Sequence, residues 1–204
     1  MRIGFVGPAR GNVTRFRELC ELLLFDLAVD RVVYLGADDT LDRAVKGWAA
    51  QLGAPADDVS FLTEVALLAP DAPPDVLDDL LTRDGKRQRL ADIAGVPDAR
   101  DRCVEMIEGR VLLMVYDRAV LDEDDITNAT VVVYGDALKP DARVIGPRGF
   151  LTPGGVASLG GAHVAVVEGL PAGLRMALHD ARGRLTQELV LSPGRASKME
   201  VRST

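Results

Sequence analysis

Four short runs of unbroken hydrophobicity constrain this chain most: "RIGFV" (2–6), "RVVYL" (31–35), "RVLLMVY" (110–116) and "TVVVY" (130–134). Each is rich in β-branched or aromatic residues, and a turn or polar loop follows each. A strand with one wet face alternates apolar and polar side chains. A continuous run marks a strand covered on both faces. Between the first two runs, Phe16, Leu19, Cys20, Leu23 and Leu27 recur at helical spacing, predicting a helix over 13–28 with Asn12 as its N-cap. A second helix is predicted over 41–52, with Leu41, Val45, Trp48, Ala49 and Leu52 on one side. A β-α-β-α opening is the pattern of a parallel sheet with crossover helices.

The middle of the chain is less regular. "LLAPDAPPDVLDD" (67–79) reads as a Pro-rich loop entering a helix near Pro74, and a short helix is predicted over 86–94. "CVEMIEGRVLLMVY" (103–116) reads as two strands joined at Glu108-Gly109. Near the end, "AHVAVVEG" and "GLRMALHDARGRLTQELVL" read as three antiparallel strands with turns at 169–172 and 180–183. The expected fold is therefore α/β, a two-sheet β-sandwich flanked by helices. One domain is expected over 1–193, with a flexible tail over 194–204. In open α/β sheets, sites lie beyond the carboxyl ends of the strands. The loops "GPARGN" (7–12), "GADDT" (36–40), "YDRAV" (116–120) and "GDALKP" (135–140) should then converge on one edge.

Bulk properties exclude some partners. Over 204 residues the net charge is -7, which repels nucleic acid phosphates and anionic lipid. "DGKRQRL" (84–90) is the one basic stretch, read as a solvated helix face. No run approaches the roughly 18 apolar residues of a membrane helix, and the N-terminus has no signal-peptide pattern, so a cytoplasmic protein without membrane insertion is expected. Cys20 and Cys103 lack paired spacing and are expected to be buried, reduced thiols. His163 and His179 lie in the terminal strands, far from any nucleophile, and are read as surface or hydrogen-bonded residues.

The first loop fails as a phosphate loop. Gly7 and Gly11 have three residues between them, and Asn12 stands where the Lys would be. Five stretches instead resemble the landmarks of small calcineurin-like metallophosphoesterases, the YfcE-like group. "MRIGFVGPARGN" resembles the family's strand, D-x-H, Gly-Asn opening. "DRVVYLGADDT" resembles the strand that ends Gly-Asp, and "GRVLLMVYDRAV" the strand that ends His-Gly. "ATVVVYGDALKP" resembles the strand that ends G-H-T-H, and "GFLTPGGVA" (149–157) the N-P-G-S turn. The resemblance spans residues 1 to 192.

What the resemblance implies for the site is a loss of ligands. The family's first Asp falls on Pro8 and the next His on Arg10. The metal-bridging Asp falls on Ala37, the His of His-Gly near Tyr116, and the last two His on Asp136 and Leu138. The family's Asn has no counterpart, since the chain's only Gly-Asn is Gly11-Asn12. Two cations about 3.5–4 Å apart need several fixed carboxylates and imidazoles. Pro8, Ala37 and Leu138 donate nothing, and Arg10 brings positive charge. No metal cofactor and no phosphoesterase activity are therefore expected. Arg10 is expected either to cross-link the loops by pairing with Asp136, Asp38 or Asp39, or to stand as a solvated loop residue.

Three functions remain open on the sequence. The first is a non-catalytic protein-binding or scaffold module with another protein as partner, as the retromer complex uses a subunit of this fold. The second is an enzyme with an altered metal site built from Asp38, Asp39, Asp117 and Asp136, with "LDEDD" (121–125) nearby. The third is a phosphate or nucleotide sensor in which Arg10 meets the anion. Self-association is compatible with all three.

Overall fold

The computed structural model describes residues 1–53, 58–96, 98–157, 161–171 and 173–192. The expected tail over 194–204, and Ala172 of the predicted turn, lie outside the described residues. So do the side chains of Ala49 and Leu52.

Two sheets face each other. One contains β1 (Arg2–Val6), β2 (Arg31–Tyr34), β3 (Ile93–Gly95), β9 (His163–Leu170), β10 (Gly173–Asp180) and β11 (Leu185–Leu191), in the order β11-β10-β9-β1-β2-β3. The other contains β4 (Arg102–Ile107), β5 (Arg110–Val115), β6 (Val131–Tyr134), β7 (Asp141–Ile145) and β8 (Arg148–Thr152), in the order β4-β5-β6-β8-β7. Strands β1, β2 and β3 run parallel, as do β5, β6 and β8.

The unbroken apolar runs are explained by burial on both faces. Ile3, Phe5, Val33 and Leu35 point into the space between the sheets, where they meet Leu112, Met114, Val131, Val133 and Leu151. The alternate residues Val6, Val32 and Tyr34 pack under the helices. That second core is closed by α1 (Val13–Glu21) through Phe16, Leu19 and Cys20, and by α2 (Thr40–Leu52) through Ala44 and Trp48.

Asn12 caps α1 as expected, its side chain accepting the Arg15 amide at 3.1 Å. The helix predicted over 13–28 is not uniform. After Glu21 it widens into a π turn, Leu22–Asp26, and the chain reverses at Ala28 with φ 49°. The wider turn brings consecutive side chains closer in angle, so Leu22, Leu23 and Leu24 are all buried.

The helix predicted over 86–94 is corrected. Residues 86–90 end a longer helix, α4 (Pro74–Leu90), which Pro74 opens at its first position. Gly85 does not break it, because the buried Asp84 anchors that turn by accepting from Arg87 and Gln88. Residues 93–95 form β3 beside β2. Between α2 and α4 lies α3 (Asp58–Leu68), and α5 (Glu123–Asn128) joins β5 to β6; neither is predicted by the sequence pattern. The "GFLT" part of the predicted turn over 149–157 is strand β8, paired with β7. The three terminal strands and the 108–109 turn stand as predicted.

Among the described residues no helix is long and apolar enough to cross a membrane. The basic stretch over 84–90 ends α4, where Arg87 pairs with Asp58 and Asp84, and Arg89 pairs with Asp92. Cys20 is buried and Cys103 half-buried, both as free thiols. Burial pushes each thiol above its ordinary range. His163 and His179 each place Nδ1 on a neighbouring backbone carbonyl, those of Gly161 and Gly183.

Candidate functional site

The expected loops do converge at the carboxyl ends of the parallel strands. The 7–12 loop meets the segment after β8, where the Val156 amide donates to the Pro8 carbonyl at 3.1 Å. The loop after β6 meets the end of β2, with Gly135 directly against the Leu35 carbonyl. Gly135 and Asp136 both donate backbone amides to the Tyr116 carbonyl, at 2.9 and 2.7 Å.

A hydrogen-bond cluster ties the first loop to the second. Tyr34 is the last residue of β2 and is buried. Its ring packs edge-on against Phe16, with centroids 4.8 Å apart. Its hydroxyl accepts the Ala9 amide at 3.0 Å and donates to Asp38 Oδ1 at 2.8 Å. Asp38 Oδ1 also accepts the Thr40 amide at 3.0 Å. The buried Thr40 hydroxyl accepts the Gly11 amide at 3.0 Å and donates to Asp38. The Arg10 amide adds a smaller stabilisation of the ionised Asp38.

Burial acts against ionisation of Asp38, but the hydrogen bonds from Thr40, Tyr34 and Arg10 outweigh it and hold the carboxyl below its ordinary range. Tyr34 moves the other way. Burial, together with the negative Asp38, pushes its phenol up, so it stays a neutral donor.

Arg10 does not serve as the cross-link and takes the solvated role. Among the described residues its guanidinium pairs with none of Asp38, Asp39 and Asp136. Arg10 has φ 50°, followed by Gly11 at 83°. This left-handed turn aims both backbone amides at Asp38 and Thr40 and leaves the Arg10 side chain exposed. The backbone makes the link that the side chain does not.

The remaining predicted residues divide. Pro8, Arg10 and Leu138 line a shallow cleft of about 150 Å³, together with Ala9, Ala137, Gly155 and Ala157. Leu138 is 82% exposed. Ala37 and Asp136 are exposed at the same edge, and Asn12 is spent on capping α1. Tyr116 contributes its carbonyl.

The acidic alternative is dispersed by its own hydrogen bonds. Asp39 pairs with Arg43 at 3.5 Å, and Asp117 accepts the Ala119 amide at 2.8 Å. Asp122 and Asp125 form the capping box of α5, where Arg102 also pairs with both. Among the described residues no three His, Cys, Asp or Glu side chains gather as a metal-binding group. The donor set does not fit a dinuclear centre: Pro8, Ala37 and Leu138 have no side-chain donor atom, and Asp38 Oδ1 already accepts the Tyr34 hydroxyl and the Thr40 amide.

Sequence reasoning missed Tyr34 and Thr40, the two residues on which the cluster turns. The available signal was a tyrosine at the helix-facing end of a doubly covered strand, where a buried hydroxyl must find a partner.

This chain has the calcineurin-like metallophosphoesterase fold, two facing mixed sheets flanked by helices. Its structure is similar to a predicted phosphoesterase from Streptococcus pneumoniae TIGR4, at 14% identity and TM-score 0.54, over 93% of this chain and 97% of that one. It is also similar to Vps29 from Entamoeba histolytica, solved in complex with Zn²⁺, at 14% identity and TM-score 0.50, over 94% and 100% of the two chains. No protein-family profile matches the sequence, and no curated protein matches it by sequence.

Linkage gives the Asp38 cluster a pH signature. A carboxyl whose pKa is lower folded than unfolded adds stability above the unfolded value of about 3.9. That contribution is lost as pH falls through the folded value. Urea midpoints followed from about pH 6 to about pH 2.5 should therefore fall more steeply for the wild type than for Asp38→Asn. Parallel curves would show that the carboxylate is not held by these bonds.

Proposed function

We propose that this chain is a non-catalytic protein-binding module on the metallophosphoesterase-like fold. One observation carries the reading. Two of the loops that present metal ligands in the family, 7–12 and 36–40, are joined here by Tyr34, Asp38 and Thr40, while the side chains of Pro8, Ala37 and Leu138 offer no donor. A site held together by protein hydrogen bonds needs no cation for its shape. Without cations the fold has neither a Lewis acid nor a metal-bound nucleophile for phosphodiester hydrolysis. The edge that remains is a partly apolar cleft with an exposed leucine, which suits contact with another protein better than binding of a phosphate.

The test combines two measurements on protein purified without chelator. Elemental analysis is expected to give substoichiometric Zn, Mn and Fe. Hydrolysis of bis(p-nitrophenyl) phosphate in excess Mn²⁺ is expected to equal the buffer blank. Stoichiometric metal together with turnover that Asp38→Asn abolishes would replace this reading with an enzyme of altered site.

A further inference from the structure

Helix α3 has an unusual surface. None of its residues is buried. Phe61, Glu64, Val65 and Leu68 are half-buried on the side toward the body. On the opposite side Val59, Leu62 and Leu67 are 74%, 63% and 76% exposed, and Ala66 is exposed beside them. Those four fall at i, i+3, i+7 and i+8, one continuous stripe. The polar residue within the stripe, Thr63, spends its hydroxyl on the Val59 carbonyl at 2.8 Å. The solvent side of α3 thus carries a continuous apolar stripe, on a helix that packs against α4. A helix with apolar residues on both sides is normally covered.

The charges around the stripe say what covers it. From residue 47 to residue 82 the sequence has no Lys or Arg. Around α3 and the first turns of α4 lie Asp58, Asp71, Asp75, Asp78 and Asp79, with Glu64 on the side toward the body. Of these, Asp58 and Asp79 are paired, with Arg87 and Arg83. The other four form no ion pair among the described residues. An apolar stripe with an acidic rim is complementary to an apolar stripe with a basic rim. A second copy of this chain would bring acid against acid, and an anionic surface would be repelled. Eleven residues make a helix about 16 Å long, enough for three turns of a partner helix laid alongside.

We propose that the exposed face of α3 docks a basic amphipathic helix of a partner protein. The inference rests on the protein-binding reading and goes beyond it: it gives a partner its chemistry and adds α3 as a contact surface besides the cleft beside Leu138.

Fluorescence anisotropy with two designed helical peptides of about five turns tests it. One carries Leu on a single face and Lys elsewhere; the other carries the same Leu with Glu elsewhere. The Leu/Lys peptide should bind the full chain. Its affinity should fall at least about tenfold in Leu62→Glu/Leu67→Glu, whose circular dichroism should match wild type. The Leu/Glu peptide should not bind. If the double variant fails to fold, Val59→Lys takes its place.

Equal binding of the Leu/Lys peptide to wild type and variant would reduce the effect to bulk charge and overturn the proposal. Equal binding of both peptides would overturn its electrostatic half. A wild-type dimer in light scattering that the double substitution dissolves would assign the face to a second copy and overturn it too. None of these outcomes alters the metal and turnover results, so the broader reading stands or falls separately.

Discussion

Gly7→Ala should be among the most damaging single substitutions in this protein, costing about 3 kcal/mol or more. A Cβ built at Gly7 would lie 1.8 Å from the Gly154 carbonyl oxygen and 2.8 Å from its carbon. Neither neighbour is a side chain that can rotate away. Both belong to the backbone that follows β8, one residue from Gly155 in the cleft wall and two from the Val156 amide that bonds Pro8. The added methyl must pry the 7–12 loop off the opposite sheet and so break the joint between the two halves of the site. For a chain of this size, such a loss lowers Tm by about 6–12 °C. Gly135→Ala should behave alike, since its Cβ would lie 2.1 Å from the Leu35 carbonyl oxygen. Gly47→Ala is the control. It sits within α2 with nothing within 4 Å, so it should raise stability by about 0.5–1 kcal/mol. Thermal melts of the three variants decide it. A Gly7→Ala protein that melts like wild type would mean the two sheets do not approach as closely as described.

What the sequence made legible follows from how strong each local signal was. Strands β1, β2, β5 and β6 are buried on both faces, and their unbroken apolar runs say so directly. Asn12 announces α1 because a polar cap before an amphipathic pattern has few other uses. The convergence of the loops follows from the parallel order of those strands. Helix α3 escaped because "DVSFLTEVALL" carries apolar residues on both its inner and its outer side, so no single apolar face stands out. Strand β3 is three residues long, too short to show any pattern, and α5 is a six-residue turn whose acidic capping box reads equally well as a carboxylate cluster. The solvated role of Arg10 escaped for a different reason. A fixed positive charge near several aspartates suggests an ion pair, whereas the left-handed turn at Arg10 and Gly11 turns the Gly11 amide onto the Thr40 hydroxyl and the Arg10 amide toward Asp38. Residue types do not reveal which of an arginine's donors will be used.

Tyr34→Phe isolates the hydrogen bonds that join the 7–12 and 36–40 loops, and it should cost about 2–3 kcal/mol. The ring and its contact with Phe16 remain, so packing is preserved. What disappears is one oxygen with two partners. The Ala9 amide is buried and would lose its acceptor at 3.0 Å; Asp38, an ionised group, would lose a donor at 2.8 Å. An orphaned buried amide alone costs about 1–3 kcal/mol, and a bond to a charge is worth about 1.5–3. Asp38 recovers part of its loss because Thr40 and the Arg10 amide still bind it. In a chain of this length the result is a Tm drop of about 5–10 °C. The two residues act through one contact, so Tyr34→Phe combined with Asp38→Asn should cost less than the sum of the separate effects. Strict additivity would show that Tyr34 and Asp38 do not hold the loops jointly. The claim that protein hydrogen bonds have taken over the structural duty of the cations would then lose its basis, whatever the metal analysis returned. A loss near 2–3 kcal/mol with clear coupling would instead make this cluster what holds the 7–12 and 36–40 loops together.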